Sequence, residues 1–127
     1  MGASGLDALK SPALEVSGNA HVMGRFIDNN FPKLMPLGGS LASSGIYVAK
    51  IGSHGSSLVY ATMLAFSGPD ADVTALAADA SGAVYLTVST AGGRPVVKAF
   101  QSRLTGTINA FAAALNAKTG AFQYLTY

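Results

Sequence analysis

Short apolar runs separated by turn-forming residues dominate the chain. Ala20–Met23, Ile46–Ile51, Leu58–Leu64, Val84–Val88 and Phe122–Tyr127 each carry β-branched or aromatic residues. Between and around them stand Ser17-Gly18-Asn19, Asp28-Asn29-Asn30, Gly38-Gly39-Ser40, Ser53-His54-Gly55, Gly68-Pro69-Asp70, Ser81-Gly82, Gly92-Gly93 and Thr119-Gly120. Short strands with turn signals at regular intervals predict an all-β fold, a sandwich, barrel or propeller. Alternation within the runs is partial. In Val84-Tyr85-Leu86-Thr87-Val88 the single polar residue is Thr87, and Leu58–Leu64 behaves similarly. Strands apolar on both faces are expected where other sheets cover each side.

Two segments pull toward helix. Val73–Asp79 and Ile108–Ala117 are alanine-rich, and alanine has the best intrinsic helix propensity. Asp70 or Asp72 is placed to cap the first, Thr107 to cap the second, and Gly120 to end it.

An internal duplication at a spacing of 64 residues weighs against those helices. Without a gap, Glu15–Val22 falls on Asp79–Leu86, Tyr47–Ile51 on Phe111–Leu115, and Tyr60–Met63 on Tyr124–Tyr127. Identities include Ala13/Ala77, Ser17/Ser81, Gly18/Gly82, Ala49/Ala113, Tyr60/Tyr124 and Thr62/Thr126. Ile108–Ala117 overlaps the equivalent of Gly45–Ile51, whose β-branched and aromatic residues read as strand. Equivalent segments share a conformation, so strand is expected in both copies, with tertiary context overriding propensity. The units are residues 1–64 and 65–127, two propeller-like repeats of one structural unit.

The patterns Asp79–Thr87, Ile46–Thr62 and Ala99-Phe100-Gln101 resemble the bacterial β-propeller repeat abbreviated SBBP, with Phe31-Pro32 as its Phe-Pro element. The resemblance covers nearly all of both copies and rests on the order and spacing of its elements. It implies two blades of antiparallel sheet. The second copy departs from the pattern at Ala83 and Val88, lacks the Phe-Pro element, and has Ala114 where the first keeps Lys50. Pro12 is expected to interrupt the first strand of copy one. Two blades do not close a ring, and each needs neighbours to bury its faces. The expectation is therefore a homo-oligomer, a trimer or tetramer closing a ring head to tail, or a piece of a longer array. The resemblance implies an exported or cell-surface setting.

Composition narrows the chemistry. Of 127 residues, 50% are hydrophobic and only 11% charged, and Ala, Gly and Ser supply 50 positions, so a disordered polar tail is excluded. The alanine excess fits closely spaced sheets. No cysteine is present, which removes disulfides and thiolate metal sites. No basic start with an apolar run of about 7–15 residues marks a secretory signal. The longest charge-free stretch, between Lys50 and Asp70, carries too many Ser, Gly and Pro residues for a spanning helix, and no membrane insertion is expected. A net charge of +2 without a basic stripe, and aromatics at repeat-equivalent strand positions, argue for core packing over nucleic-acid binding.

Candidate site residues are sparse. His21 occupies a strand position where the second copy has Tyr85, so a half-buried histidine in a tyrosine slot is expected; His54 lies in a solvated turn. Neither has a carboxylate close in sequence, so local spacing builds no triad or metal cluster. Asp70, Asp72 and Asp79 lack the regular ligand pattern of a calcium loop. Gly92-Gly93-Arg94 reads as a hairpin turn rather than a phosphate cradle. Ser43-Ser44 and Ser56-Ser57 have no nearby base. No catalytic, cofactor-binding or metal residue is assigned, and no cofactor is expected. The expected function is a non-catalytic structural or interaction module, with binding loops at Asp28–Asn30, Gly38–Ser44 and Gly92–Arg94. A lectin-like ligand-binding propeller is the alternative, and a hydrolase or lyase with a site at a ring interface is the least supported.

Overall fold

The computed structural model describes residues 8–26, 45–65, 71–91, 96–103 and 105–127; the side chains at 8, 9, 11, 65 and 71–73 are outside that description. Eight strands follow one another: β1 (Ala8–Leu14), β2 (Ala20–Phe26), β3 (Gly45–Ile51), β4 (Leu58–Ala65), β5 (Ala71–Ala78), β6 (Val84–Thr90), β7 (Asn109–Leu115) and β8 (Phe122–Thr126). They form two four-stranded sheets, ordered β1-β2-β3-β4 and β5-β6-β7-β8. Each strand pairs antiparallel with its neighbour in sequence, so both sheets are meanders. Among the described residues there is no helix, and so none long and apolar enough to cross a membrane.

The two sheets repeat each other in detail. β6 and β7 match β2 and β3 residue for residue at the 64-residue offset. The irregularity between Leu9 and Ser11 recurs between Val73 and Ala75, and that between Lys50 and Ile51 recurs between Ala114 and Leu115. The turn after the first strand of each sheet is closed the same way. Gly18 N–H donates to Glu15 O and Gly82 N–H to Asp79 O, both at 2.9 Å. Gly18 and Gly82 have φ of 85° and 80°, the left-handed region in which glycine carries no Cβ penalty.

Alanine-rich β5 and β7 are strands, as the repeat predicts. β7 is bonded on one side to β6 and on the other to β8, so its backbone groups are satisfied across the sheet. That outweighs a helix preference of a fraction of a kcal/mol per residue. Pro12 does not interrupt β1, contrary to expectation. It pairs in register with Val22 on an edge strand, where one row of amides has no ladder to join.

The sheets stack in the same sense. The front face is defined as the side carrying His21, Met23, Val48 and Tyr60 in the first sheet, and Tyr85, Thr87, Ala112 and Tyr124 at the equivalent positions of the second. The front face of the first sheet packs on the back face of the second. Met23, Ile46, Val48, Tyr60 and Leu64 join Val84, Leu86, Val88, Phe111, Leu115 and Leu125 in one buried cluster. Burying each Val, Leu, Ile or Phe contributes about 1.5–3 kcal/mol. Strand β5 lies against β1, β2 and β3. The back-face side chains of the first sheet, including Val22, Phe26, Tyr47 and Ala49, form a second buried cluster. Coverage is therefore unequal. β3 is buried almost throughout, whereas β6 alternates strictly, with Val84, Leu86, Val88 and Thr90 inside and Tyr85 and Thr87 exposed. The expectation of two covered faces holds for the first sheet and fails for Val84–Val88, because nothing among the described residues lies over the front of the second sheet.

Candidate functional site

The densest polar chemistry lies between the sheets. Glu15 sits in the turn after β1, and that turn folds its side chain back over the start of β2. Its Oε1 is 2.6 Å from His21 Nε2 and 2.6 Å from Lys50 Nζ. Its Oε2 accepts from Ser17 Oγ and Asn19 Nδ2, each at 2.7 Å. His21 and Lys50 reach the same carboxylate because they are directly paired across β2 and β3. On the far side of the imidazole, Nδ1 is 3.2 Å from the hydroxyl of Tyr60, which pairs with Lys50 across β3 and β4. A carboxylate only accepts, so His21 Nε2 carries a proton and donates it to Glu15.

Burial and charge act oppositely on Glu15. Desolvation raises its pKa, but the ammonium of Lys50 and the donors Asn19, Ser17 and His21 together bring it down to about 2. The hydroxyl of Tyr60 is held above its ordinary range by burial and by the nearby Glu15 charge. A carboxylate, an imidazole and a hydroxyl thus stand in the order of a hydrolytic relay. His21 and Tyr60 are both fully buried, however, so no substrate reaches the hydroxyl from solvent.

What the cluster does reach is the second sheet. Lys50 Nζ donates to Ala117 O at 3.2 Å, and Thr62 Oγ1 donates to Gly120 O at 2.7 Å. Both carbonyls belong to the turn between β7 and β8, which Asn116 Oδ1 shapes by accepting from Lys118 N and Thr119 N. Gly120 has a φ of 67°, and a Cβ there would lie 2.7 Å from both Thr62 Oγ1 and a Tyr60 ring carbon. The approach requires glycine for its conformation and for its lack of a side chain.

At the offset positions, the second sheet keeps the carboxylate and loses the cation. Asp79 Oδ1 accepts from Ser81 N, Ser81 Oγ and Ala83 N, and Oδ2 accepts from the Tyr85 hydroxyl at 3.1 Å. These bonds, chiefly that from Ser81, lower the Asp79 pKa, and Asp79 raises that of Tyr85. Ala114 stands where Lys50 does in the first sheet. Between Tyr85 and Tyr124 lies a hollow of about 290 Å³ with Ala75, Ala77, Thr87 and Ala112 on its floor.

His21 does occupy the register position of Tyr85, but it is fully buried rather than half-buried. Local spacing points to no carboxylate partner for His21, yet the turn after β1 brings Glu15, six residues upstream, to 2.6 Å from its Nε2. His54 is exposed in its turn, with Nδ1 3.3 Å from Ser53 Oγ. Ser56 and Ser57 are exposed in the turn between β3 and β4. Asp28–Asn30, Phe31-Pro32, Gly38–Ser44, Gly68, Asp70, Gly92–Arg94 and the side chain of Asp72 lie outside the described residues. Among the described residues no group of three His, Cys, Asp or Glu is gathered to hold a metal ion. No family model, curated protein or solved structure matches the chain.

Proposed function

We propose that the chain is a non-catalytic β-propeller-type module that works by binding protein through its sheet faces, and that it forms a homo-oligomer. The observation that carries this reading is the asymmetry of cover between two sheets of one pattern. The front face of the first sheet is filled by the second sheet, while nothing among the described residues lies over the equivalent front face of the second, where Tyr85 is 42% exposed. Stacking units of one pattern bury a continuous core, and an uncovered terminal face is the place where such a stack receives its next partner. The groups best suited to catalysis, Glu15, His21 and Tyr60, are bonded to one another within the first sheet, with His21 and Tyr60 fully buried. Sedimentation velocity over a concentration series tests the reading. Association above micromolar concentration is expected, and a monomer at every concentration removes the homo-oligomer from it.

The hollow between Tyr85 and Tyr124 supports a second reading, a lectin-like glycan or small-molecule site. Aromatic walls with Asp79 at the rim suit a sugar ring, whose apolar face stacks and whose hydroxyls donate. A glycan array separates the two readings: saturable binding abolished by Tyr85→Ala favours the lectin, and no binding favours the protein-interaction module.

A further inference from the structure

We propose that the front face of the second sheet takes a lysine side chain of a partner protein, with its ammonium between Tyr85 and Tyr124. This deepens the protein-binding reading and rests on it. The charges of the face point first to a cation. None of β5, β6, β7 and β8 contains a lysine or arginine. The register places one acidic residue on the front, Asp72 opposite Ser89. Asp79, in the turn between β5 and β6, adds a carboxylate that accepts from the Tyr85 hydroxyl, and its donors among the described residues are all neutral. A face with acidic positions and no cation of its own suits a cationic partner and disfavours an acidic one.

The hollow gives that cation a place. Ala114 is fully buried and is not part of the lining, so the free space lies over the adjoining register pair, Thr87 and Ala112, with the two tyrosines as walls. About 290 Å³ accepts the end of a lysine side chain. Its apolar stem rests on alanine methyl groups while the ammonium meets the tyrosine rings, an attraction that a neutral stem of the same length lacks. The hydrogen bond from Tyr85 to Asp79 adds to this, because a carboxylate accepting from a phenol leaves the ring richer in electrons.

The first sheet shows independently which group such an arrangement holds. At the 64-residue offset Glu15 corresponds to Asp79, His21 to Tyr85, Tyr60 to Tyr124 and Lys50 to Ala114. In the first sheet a carboxylate, two rings and an ammonium meet on the front face. Lys50 stands in register between His21 and Tyr60, and its Nζ lies 2.6 Å from Glu15 Oε1. The second sheet keeps the carboxylate and both rings and has lost the ammonium. A lysine from outside the chain restores the missing member. The same comparison favours an amine over the sugar of the alternative reading, since sugar hydroxyls bring no charge to a face whose ionisable positions, Asp72 and Asp79, are both acidic.

The test uses the whole chain and Nα-acetyl-lysine methylamide as the probe. Nα-acetyl-norleucine methylamide, which keeps the stem and lacks the ammonium, is its neutral counterpart. Tyrosine ring protons are followed by nuclear magnetic resonance. Saturable shifts at Tyr85 and Tyr124 are expected with a dissociation constant on the order of 1–10 mM for the lysine amide, and binding at least ~5-fold weaker for the norleucine amide. Tyr85→Leu, at an exposed position, and Asp79→Asn are each expected to weaken the lysine amide at least ~3-fold, with the circular dichroism unchanged. Ser56→Ala, in an exposed turn, is the control and binds as the parent does. Equal binding of the two amides, no saturable response to the lysine amide below about 100 mM, or a response that Tyr85→Leu leaves unchanged overturns the site. If the site is overturned while sedimentation shows association, the interaction-module reading stands. If the chain is monomeric at every concentration yet binds the lysine amide as expected, the site stands and only the homo-oligomer is lost.

Discussion

Removing the ammonium of Lys50 while keeping its length, Lys50→Met, probes the contact that joins the two sheets. At 2.6 Å from Glu15 Oε1 and an effective dielectric of about 20, the pair attracts by roughly 6 kcal/mol. Desolvating both ions offsets several kcal/mol of that, whereas deleting one partner of a buried pair typically costs about 3–5 kcal/mol. Glu15 retains three other donors and its side chain is 8% exposed, which lets some water in and moderates the loss. The hydrogen bond to Ala117 O disappears as well. The expected destabilisation is about 2–4 kcal/mol, or a Tm lower by roughly 10 °C in a chain of this size. Urea unfolding followed by circular dichroism reads it, and a cycle with Glu15→Gln isolates the pair, with at least ~1 kcal/mol of coupling expected. A cost below about 0.5 kcal/mol, or strictly additive single variants, would refute the reasoning, since the two charges would then be acting as solvated surface groups.

The same carboxylate sets a pH dependence. The pKa of Glu15 is depressed to about 2 in the folded state, so its contribution is complete above the unfolded value of about 4.5 and is lost as pH falls through 2. The stability difference between the parent and Glu15→Gln should be flat above about pH 5 and shrink between pH 4.5 and 2; a difference that changes mainly above pH 6 would contradict the assignment. Gly120→Ala places a methyl group 2.7 Å from Tyr60 and Thr62 at a positive φ, and should cost about 2–4 kcal/mol in urea unfolding, whereas Ser56→Ala, in an exposed turn position, should be silent. His21→Phe leaves Glu15 Oε1 and the Tyr60 hydroxyl each without one partner and should cost about 2 kcal/mol. At the equivalent position of the open sheet, Tyr85→Phe should leave the Tm within about 1 °C of the parent.

The fold was legible because the duplication carries structural information that single-residue propensities do not. Phe111-Ala112-Ala113-Ala114 alone reads as helix; aligned on Tyr47–Lys50 it reads as a strand, and its place between β6 and β8 explains why. The turn signals at Gly18 and Gly82 were equally visible, since both need a positive φ. The polar cluster was missed because its members meet through the β2–β3–β4 register and a chain reversal, neither of which local spacing reveals. A partial signal existed. In both copies a carboxylate lies six residues before a hydrogen-bonding ring, Glu15 before His21 and Asp79 before Tyr85, and both pairs are bonded. The unequal cover of the two sheets had no sequence signature, because Tyr85 and Tyr124 read as core residues whether or not another layer lies above them.

Everything proposed for the open face depends on the front of the first sheet being filled by the second. The most direct test is the nuclear Overhauser effect between the Gly120 α-protons and the Tyr60 ring, residues 60 apart in sequence but in van der Waals contact across the two sheets. The account predicts a strong cross-peak, with the Gly120 α-protons shifted by the ring current. Its absence, in a spectrum where the strand-to-strand contacts within each sheet are all present, would show two sheets that fold but do not stack in this way.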